Sequence, residues 1–172
     1  MKSRRLFPTF AAVLACWTGC ATLKNQLLRL EDTRLVVRLR AIHDAGERFY
    51  EPALPAILAR LTDEDALVRG EAAAALDRFS DEWWKGMPRE AGDGRDIWAA
   101  YKIYSVLGDV PTAPSIPSLF KSLSDENPRV RRWAGLVLQA SEDPAIGPEV
   151  AKWLKSADAS KRVEAVRILT DR

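Results

Sequence analysis

Apolar residues recur along most of the chain at helical spacing. Val68, Ala72 and Leu76 stand four residues apart, and the stretch 130–138 repeats the same spacing further on. Residues four apart lie on one face of an α-helix, so the pattern predicts amphipathic helices. We therefore expect an all-α fold.

The helical pattern itself repeats. PALPAILARLTDEDALVRGEAAAAL at 52–76 aligns without a gap with PSIPSLFKSLSDENPRVRRWAGLVL at 114–138, which lies 62 residues later. Half of that spacing also works, because Arg131 falls on Arg162 and Arg69 falls on Arg38. The period is therefore 31 residues, and it predicts five units that begin near residues 21, 52, 83, 114 and 145.

Each unit is expected to consist of two helices joined by a short turn. Prolines near the start of the first helix, such as Pro52 and Pro55, are tolerated there because the first amides of a helix have no intrahelical partner. Aspartates in the turns TDED and SDEN are expected to cap the second helix. One hairpin cannot bury an apolar face alone, so neighbouring hairpins should stack.

The recurring pattern is a leucine, an aspartate, Val-Arg-x-x-Ala and a leucine four residues further on. It resembles the HEAT family, in particular the short repeats similar to those of phycobilisome bilin lyases. The resemblance covers about residues 21–172 and implies a right-handed α-solenoid of about five hairpins. These would be the units 21–51, 52–82, 83–113 (degenerate), 114–144 and 145–172.

The same resemblance implies a ladder of ion pairs between neighbouring units. In HEAT arrays, arginines of the second helices pair with aspartates of adjacent turns, which would satisfy fixed charges and set the stacking register. The residues at the matching positions are Asp32, Arg38, Asp63, Arg69, Asp125, Arg131 and Arg162.

The third unit departs from the repeat. DEWWKGMPREAGDGRD at 81–96 contains three glycines and a proline, so a regular first helix is not expected beyond about residue 87. We expect the array to bend or open there. The aromatic residues Trp83, Trp84, Trp98 and Tyr101 either line a groove for a peptide or glycan, or fill the space left by the shortened helix.

Two further tryptophans occupy positions that are polar in other units. Trp133 aligns with Glu71 and is expected to face water, and Trp153 is expected to be exposed for the same reason. Together with Arg132, they are candidate contact points for a protein partner. Alternatively, Trp133 forms a local cation and ring pair with Arg129 or Arg132.

The first 20 residues, MKSRRLFPTFAAVLACWTGC, combine a basic start with an uncharged run, which is typical of an export signal. Small residues before a cysteine resemble a bacterial lipoprotein signal. This resemblance implies a lipid on Cys16, or on Cys20, although Trp17 stands where the family usually has leucine. It also implies a repeat domain anchored on the periplasmic or outer side of the cell envelope. An ordinary cleaved signal or an uncleaved apolar N-terminus is the alternative.

Charge and reactive residues narrow the possible functions. Lys2, Arg4 and Arg5 account for three of the 26 basic residues, and the charges of the remaining 23 are balanced by 24 acidic residues. A nearly neutral body argues against a strong grip on nucleic acid. His43 is the only histidine, no cysteine follows Cys20, and no phosphate-binding loop or nucleophile motif occurs. We predict no catalytic residues, no cofactor and no metal site.

The leading hypothesis for function is a membrane-tethered cell-envelope scaffold that binds an unidentified protein partner. A second hypothesis is an enzyme or enzyme accessory similar to bilin lyases or HEAT-like DNA glycosylases. A third is a structural subunit of an envelope complex. HEAT arrays usually hold partner proteins and only occasionally catalyse reactions, which favours the first hypothesis.

Overall fold

A computed structural model describes residue 25, residues 27–86, residues 99 and 102, and residues 115–170. Within these ranges the regular elements are helices and no strand occurs. The prediction of an all-α fold is confirmed to this extent. The signal segment 1–20 with its two cysteines lies outside the described residues, as do Trp98 and Tyr101.

Short helices alternate with longer ones along the described residues. Residues 27–30 are helical and precede α1. Two 3-10 turns, Glu51–Ala53 and Arg60–Thr62, flank the short helix α2. The α-helices are α1 (Leu35–Glu47), α2 (Leu54–Ala59), α3 (Ala66–Lys85), α4 (Ile116–Ser122), α5 (Pro128–Ala140), α6 (Ile146–Leu154) and α7 (Ala159–Thr170).

We number the hairpins by their repeat units. The first comprises 27–47, the second 52–85, the fourth 116–140 and the fifth 146–170. The second helices α1, α3, α5 and α7 each pack against the next, and the first helices form another layer in which the Arg60–Thr62 turn contacts α4 and α4 contacts α6. A single cluster of buried apolar side chains runs between the two layers.

The turns start the second helices in the way the sequence predicts. Asp65 accepts a hydrogen bond from the Leu67 amide at 2.8 Å, and Asn127 accepts one from the Arg129 amide at 2.9 Å. Each cap satisfies an amide that has no partner inside its helix. The prediction that turn aspartates cap the second helix is confirmed for Asp65 in TDED, whereas in SDEN the capping residue is Asn127, and Asp125 accepts from the Asn127 amide at 2.9 Å.

The second and fourth hairpins are direct neighbours, although a whole unit separates them in the sequence. Helix α3 continues for 20 residues to Lys85 and so crosses the boundary that the repeat places after residue 82. Helix α5 packs on α3, and Ser122 of α4 donates a hydrogen bond to the Leu61 carbonyl at 3.1 Å. The expectation that the array opens between these two hairpins is therefore wrong, because they are in contact, whereas the expected bend at the third unit falls largely outside the described residues.

Candidate interaction surfaces

One arginine closes each turn between the two helices of a hairpin. Arg69 Nη1 donates to the carbonyl oxygens of Asp63 at 2.9 Å and Glu64 at 3.1 Å, which lie six and five residues earlier. Arg38, Arg131 and Arg162 make the same pair of contacts in their own turns. The repeated arginine therefore first satisfies backbone carbonyls of its own hairpin.

Two of these arginines also reach a carboxylate of the next hairpin in the stack. Arg38 Nη2 lies 3.3 Å from Asp63 Oδ1, and Arg69 Nε lies 2.6 Å from Asp125 Oδ2. The Asp63 side chain is only 4% exposed, so this pair is a buried one. These two contacts have the geometry of the ladder inferred from the HEAT resemblance.

The ladder does not extend over the other predicted positions among the described residues. Asp32 pairs with Arg34 of its own turn, with Arg34 Nη2 3.0 Å from Asp32 Oδ2. Arg131 and Arg162 donate only to carbonyls of their own turns. For Arg131 the reason lies in the fifth hairpin, where Ser156 occupies the aspartate position and offers no carboxylate.

The Asp32 carboxylate provides a pH test of the turn geometry. Side-chain and backbone hydrogen bonds from Arg34 lower the pKa of Asp32 from 3.8 to about 2. Because the folded-state pKa lies below the unfolded value, this group stabilises the fold fully above pH 3.8, and the contribution is lost as the pH falls through about 2. NMR titration of the carboxyl carbon should give a pKa near 2, and Arg34→Met should raise it. An unchanged pKa in Arg34→Met would contradict the assigned cause.

A second contact cluster joins α3 to α5 around Asp77. The Trp133 indole Nε1 donates to Asp77 Oδ1 at 2.8 Å, and Arg132 Nη1 donates to the same oxygen at 2.9 Å. Arg129 Nε lies 3.3 Å from Asp77 Oδ2. The Asp77 carboxylate on α3 thus contacts donor groups of three residues at the start of α5.

The prediction that Trp133 faces water is wrong. Its side chain is 0% exposed, because this side of α5 packs directly on α3. The prediction treated aligned polar residues as exposed, but Glu71 and Glu164 are only partly exposed and form ion pairs with Arg78 and Arg167. The alternative cation and ring pair is present, with the Arg132 guanidinium carbon 5.1 Å from the centre of the Trp133 ring.

Sequence reasoning missed Asp77, although a signal for it was present. At the positions aligned with Asp77 the first and fourth hairpins carry Gly46 and Gln139, so its charge is peculiar to the second hairpin, as Arg132 and Trp133 are peculiar to the fourth. A comparison of the residues at which each hairpin departs from the repeat would have suggested that Asp77 contacts Arg132 and Trp133. Trp133 and Arg132 accordingly hold two hairpins together.

Aromatic rings cluster near the ends of α1 and α3, where the buried Phe79 lies between the partly exposed Phe49 and Trp83. The Phe49 and Phe79 rings meet edge to face at 6.2 Å between centroids, and Phe79 and Trp83 lie 5.8 Å apart. Trp83 Nε1 also donates to Glu51 Oε1 at 3.3 Å. Trp83 and its neighbour Trp84 are half-buried, so each ring both packs and keeps part of its surface in contact with solvent.

The backbone holds Phe49 in this cluster in an unusual conformation. Phe49 has φ 49°, a left-handed value that bulky residues rarely adopt. Its amide donates to the Gly46 carbonyl at 3.2 Å, and the Tyr50 amide donates to the Ala45 carbonyl at 3.0 Å, which is the Schellman pattern that ends a helix. The ring is 40% exposed, so an apolar side chain projects from a strained turn.

Trp153 of α6 is half-buried, so its predicted exposure is only partial. Its ring packs against Phe120 of α4 at 5.2 Å between centroids. Lys161 Nζ lies 5.5 Å from the ring centre, and this cation covers part of the remaining face.

The described residues offer no arrangement typical of metal or membrane-spanning sites. His43 is exposed, and its Nδ1 lies 3.1 Å from Glu71 Oε1. Among the described residues, no group of three or more histidine, cysteine, aspartate or glutamate side chains is placed to hold a metal ion. No helix in the same part of the chain is both long and apolar enough to cross a bilayer.

A comparison with known protein families found no family model that matches this chain.

Proposed function

We propose that the chain is a HEAT-like α-solenoid that serves as a protein-binding scaffold of the bacterial cell envelope, tethered to a membrane by a lipid on Cys16 or Cys20. The observation that carries this proposal is the side-by-side packing of α1, α3, α5 and α7. Stacked second helices of this kind form the extended surfaces with which repeat proteins bind their partners.

Contacts between neighbouring hairpins support this proposal. Buried or partly buried ion pairs link consecutive hairpins, from Arg38 to Asp63 and from Arg69 to Asp125. Asp77 adds a third connection between α3 and α5. A surface supported in this way binds with little loss of conformational entropy, because its side chains and helices are already positioned.

The half-buried rings of Trp83, Trp84 and Trp153 are the candidate contacts that remain of the predicted set within the described residues. Aromatic rings supply large contact areas at a small entropy cost and are enriched at the energetic centres of interfaces. Phe49 joins them, since its exposed ring lies against Phe79 beside Trp83.

The proposal is tested by isolating the tagged full-length chain from detergent-solubilised envelope. We expect one protein to co-purify in a fixed ratio, and Trp84→Ala to reduce its recovery while the matched variant Leu67→Ala, at an exposed position of the same helix, does not. Co-purification that is absent, or equal in both variants, would contradict the proposed binding surface.

The lipid tether has its own measurement. The intact mass of the mature protein should show loss of the residues that precede Cys16 or Cys20 and addition of acyl chains to that cysteine. A mass in which Met1 is retained and no acyl chain is present would contradict the tether, and it would leave the binding test unaffected.

A further inference from the structure

The fifth hairpin exposes apolar side chains at positions that are buried in the other described hairpins. Val166 is 50% and Leu169 is 49% exposed, and Val163 and Leu154 are exposed beside them. The residues aligned with Val166 and Leu169 are all buried: Ile42, Ala73 and Gly135 for the first, and Ala45, Leu76 and Leu138 for the second. We call Leu154, Val163, Val166 and Leu169 the end face.

The end face corresponds to the side by which each hairpin contacts the next one. In α1, α3 and α5 the residues aligned with Val166 and Leu169 are buried, and α3, α5 and α7, respectively, pack on these helices. Gly135, which aligns with Val166, faces the Arg167 side chain of α7. Among the described residues no helix packs over this side of α7. The end face is therefore equivalent to the surfaces of the first, second and fourth hairpins on which another hairpin packs.

The polar edge of the end face indicates the charge of its occupant. Arg162 aligns with Arg38 and Arg69, and it makes the same contacts to its own turn, at 2.8 and 2.9 Å. Arg38 and Arg69 use further donors to bind a turn aspartate of the next hairpin. Arg162 is exposed and has no carboxylate partner within the described residues, so the matching position of an occupant would be an acidic turn.

The charges disfavour a second copy of this chain as that occupant. Where α3 presents Glu71 and Ala75 to α1, the first hairpin carries Arg40 and Asp44, which are costly to bury against valine and leucine. Its turn aspartate, Asp32, is already held by Arg34. Two end faces placed against each other would bring together the Lys161 and Arg162 cations of both copies, which is also unfavourable.

We propose that the end face docks a helical hairpin of a partner protein, one that presents small apolar residues and a turn aspartate to Arg162. This inference rests on the proposed scaffold function and names the docking face and the kind of partner. The contact would continue the packing seen between the existing hairpins, with the partner helix lying along α7 and its turn beside Arg162.

The probe for this test is a fluorescent peptide with the sequence of residues 52–85, whose hairpin packs on α1 in the same manner and places Ala75 and Asp63 against it. We expect it to bind the full chain, and Val166→Asp to weaken binding at least tenfold, because a carboxylate would be buried against apolar groups. Val36→Asp, at an exposed position of α1, is the matched control and should not change the affinity. Asp63→Ala in the peptide should weaken binding to the wild-type chain but not to an Arg162→Met chain.

A second measurement does not require an isolated hairpin peptide, which would be only marginally helical in water. Residues 49–85 are appended directly after Arg172, which places the added hairpin in register with the 31-residue period. The melting temperature should rise by roughly 5 °C, and Val166→Asp should abolish the increase. Absence of both peptide binding and the thermal shift would overturn the proposal.

Two other outcomes would assign the face differently. If the wild-type chain sediments as a dimer that Val166→Asp converts to a monomer, a second copy is the occupant and the proposal is overturned. If the envelope partner of the tagged chain is retained in full by Val166→Asp, the scaffold function stands and the inference about the end face fails.

Discussion

Replacement of Trp133 by alanine should lower the free energy of unfolding by about 3–5 kcal/mol, as for other fully buried aromatic side chains. The ring is completely buried between α5 and α3, and its indole nitrogen donates to Asp77. The variant would leave a cavity at the contact between the second and fourth hairpins. Urea unfolding followed by circular dichroism measures the change.

Two matched variants separate the contributions to this loss. Trp133→Phe keeps an aromatic ring but removes the donor to Asp77, so we expect a loss of about 1–2 kcal/mol from the hydrogen bond, with a smaller loss of packing. Trp153→Ala removes a half-buried ring and should cost less than Trp133→Ala. A loss below about 1 kcal/mol for Trp133→Ala would mean that the residue is not part of the core.

Asp63→Ala should destabilise the fold by about 3 kcal/mol, because removal of one member of a buried ion pair leaves the other charge uncompensated. Asp63 Oδ1 accepts from Arg38 and Oδ2 accepts from Arg60, at 3.3 and 3.2 Å. The Nε atoms of both arginines are buried without a hydrogen-bond partner among the described residues, and the Arg38 side chain is only 9% exposed, so water cannot replace the contact that Arg38 would lose.

The matched control for Asp63 is Asp158→Ala. Both aspartates accept a hydrogen bond from the amide two residues later, Asp65 for Asp63 at 3.1 Å and Ser160 for Asp158 at 2.8 Å. Asp158 is exposed and receives no arginine among the described residues. We therefore expect a loss of about 1 kcal/mol or less for Asp158→Ala. Equal losses for the two variants would show that the arginine contacts of Asp63 contribute nothing.

The features that the sequence predicted correctly depend on local spacing. Helical faces, the cap at Asp65 and the recurrence of the arginine are set by residues a few positions apart, so a 31-residue period makes them visible. The ion pair between Arg69 and Asp125 spans 56 residues. Its partners were identified by the HEAT resemblance, which does not specify that the second hairpin meets the fourth.

The environment of Trp133 could not be obtained by comparing aligned positions. Polar residues at its aligned positions indicated exposure, yet Glu71 is partly buried because Arg78 and His43 pair with it. A partly buried position can therefore hold a paired glutamate in one hairpin and a tryptophan in another. Which of the two occurs depends on the facing helix, here on Asp77 of α3, and that contact is not visible in the spacing of α5 alone.

The direct packing of the second hairpin on the fourth is the central claim of this account, and a double-mutant cycle on Arg69 and Asp125 tests it most directly. The two side chains lie 2.6 Å apart, between Nε and Oδ2, and belong to different hairpins. Arg69→Met, Asp125→Ala and the double variant are compared with the wild type by urea unfolding. We predict a coupling free energy of about 1–3 kcal/mol, whereas losses that add to within about 0.5 kcal/mol would contradict the contact.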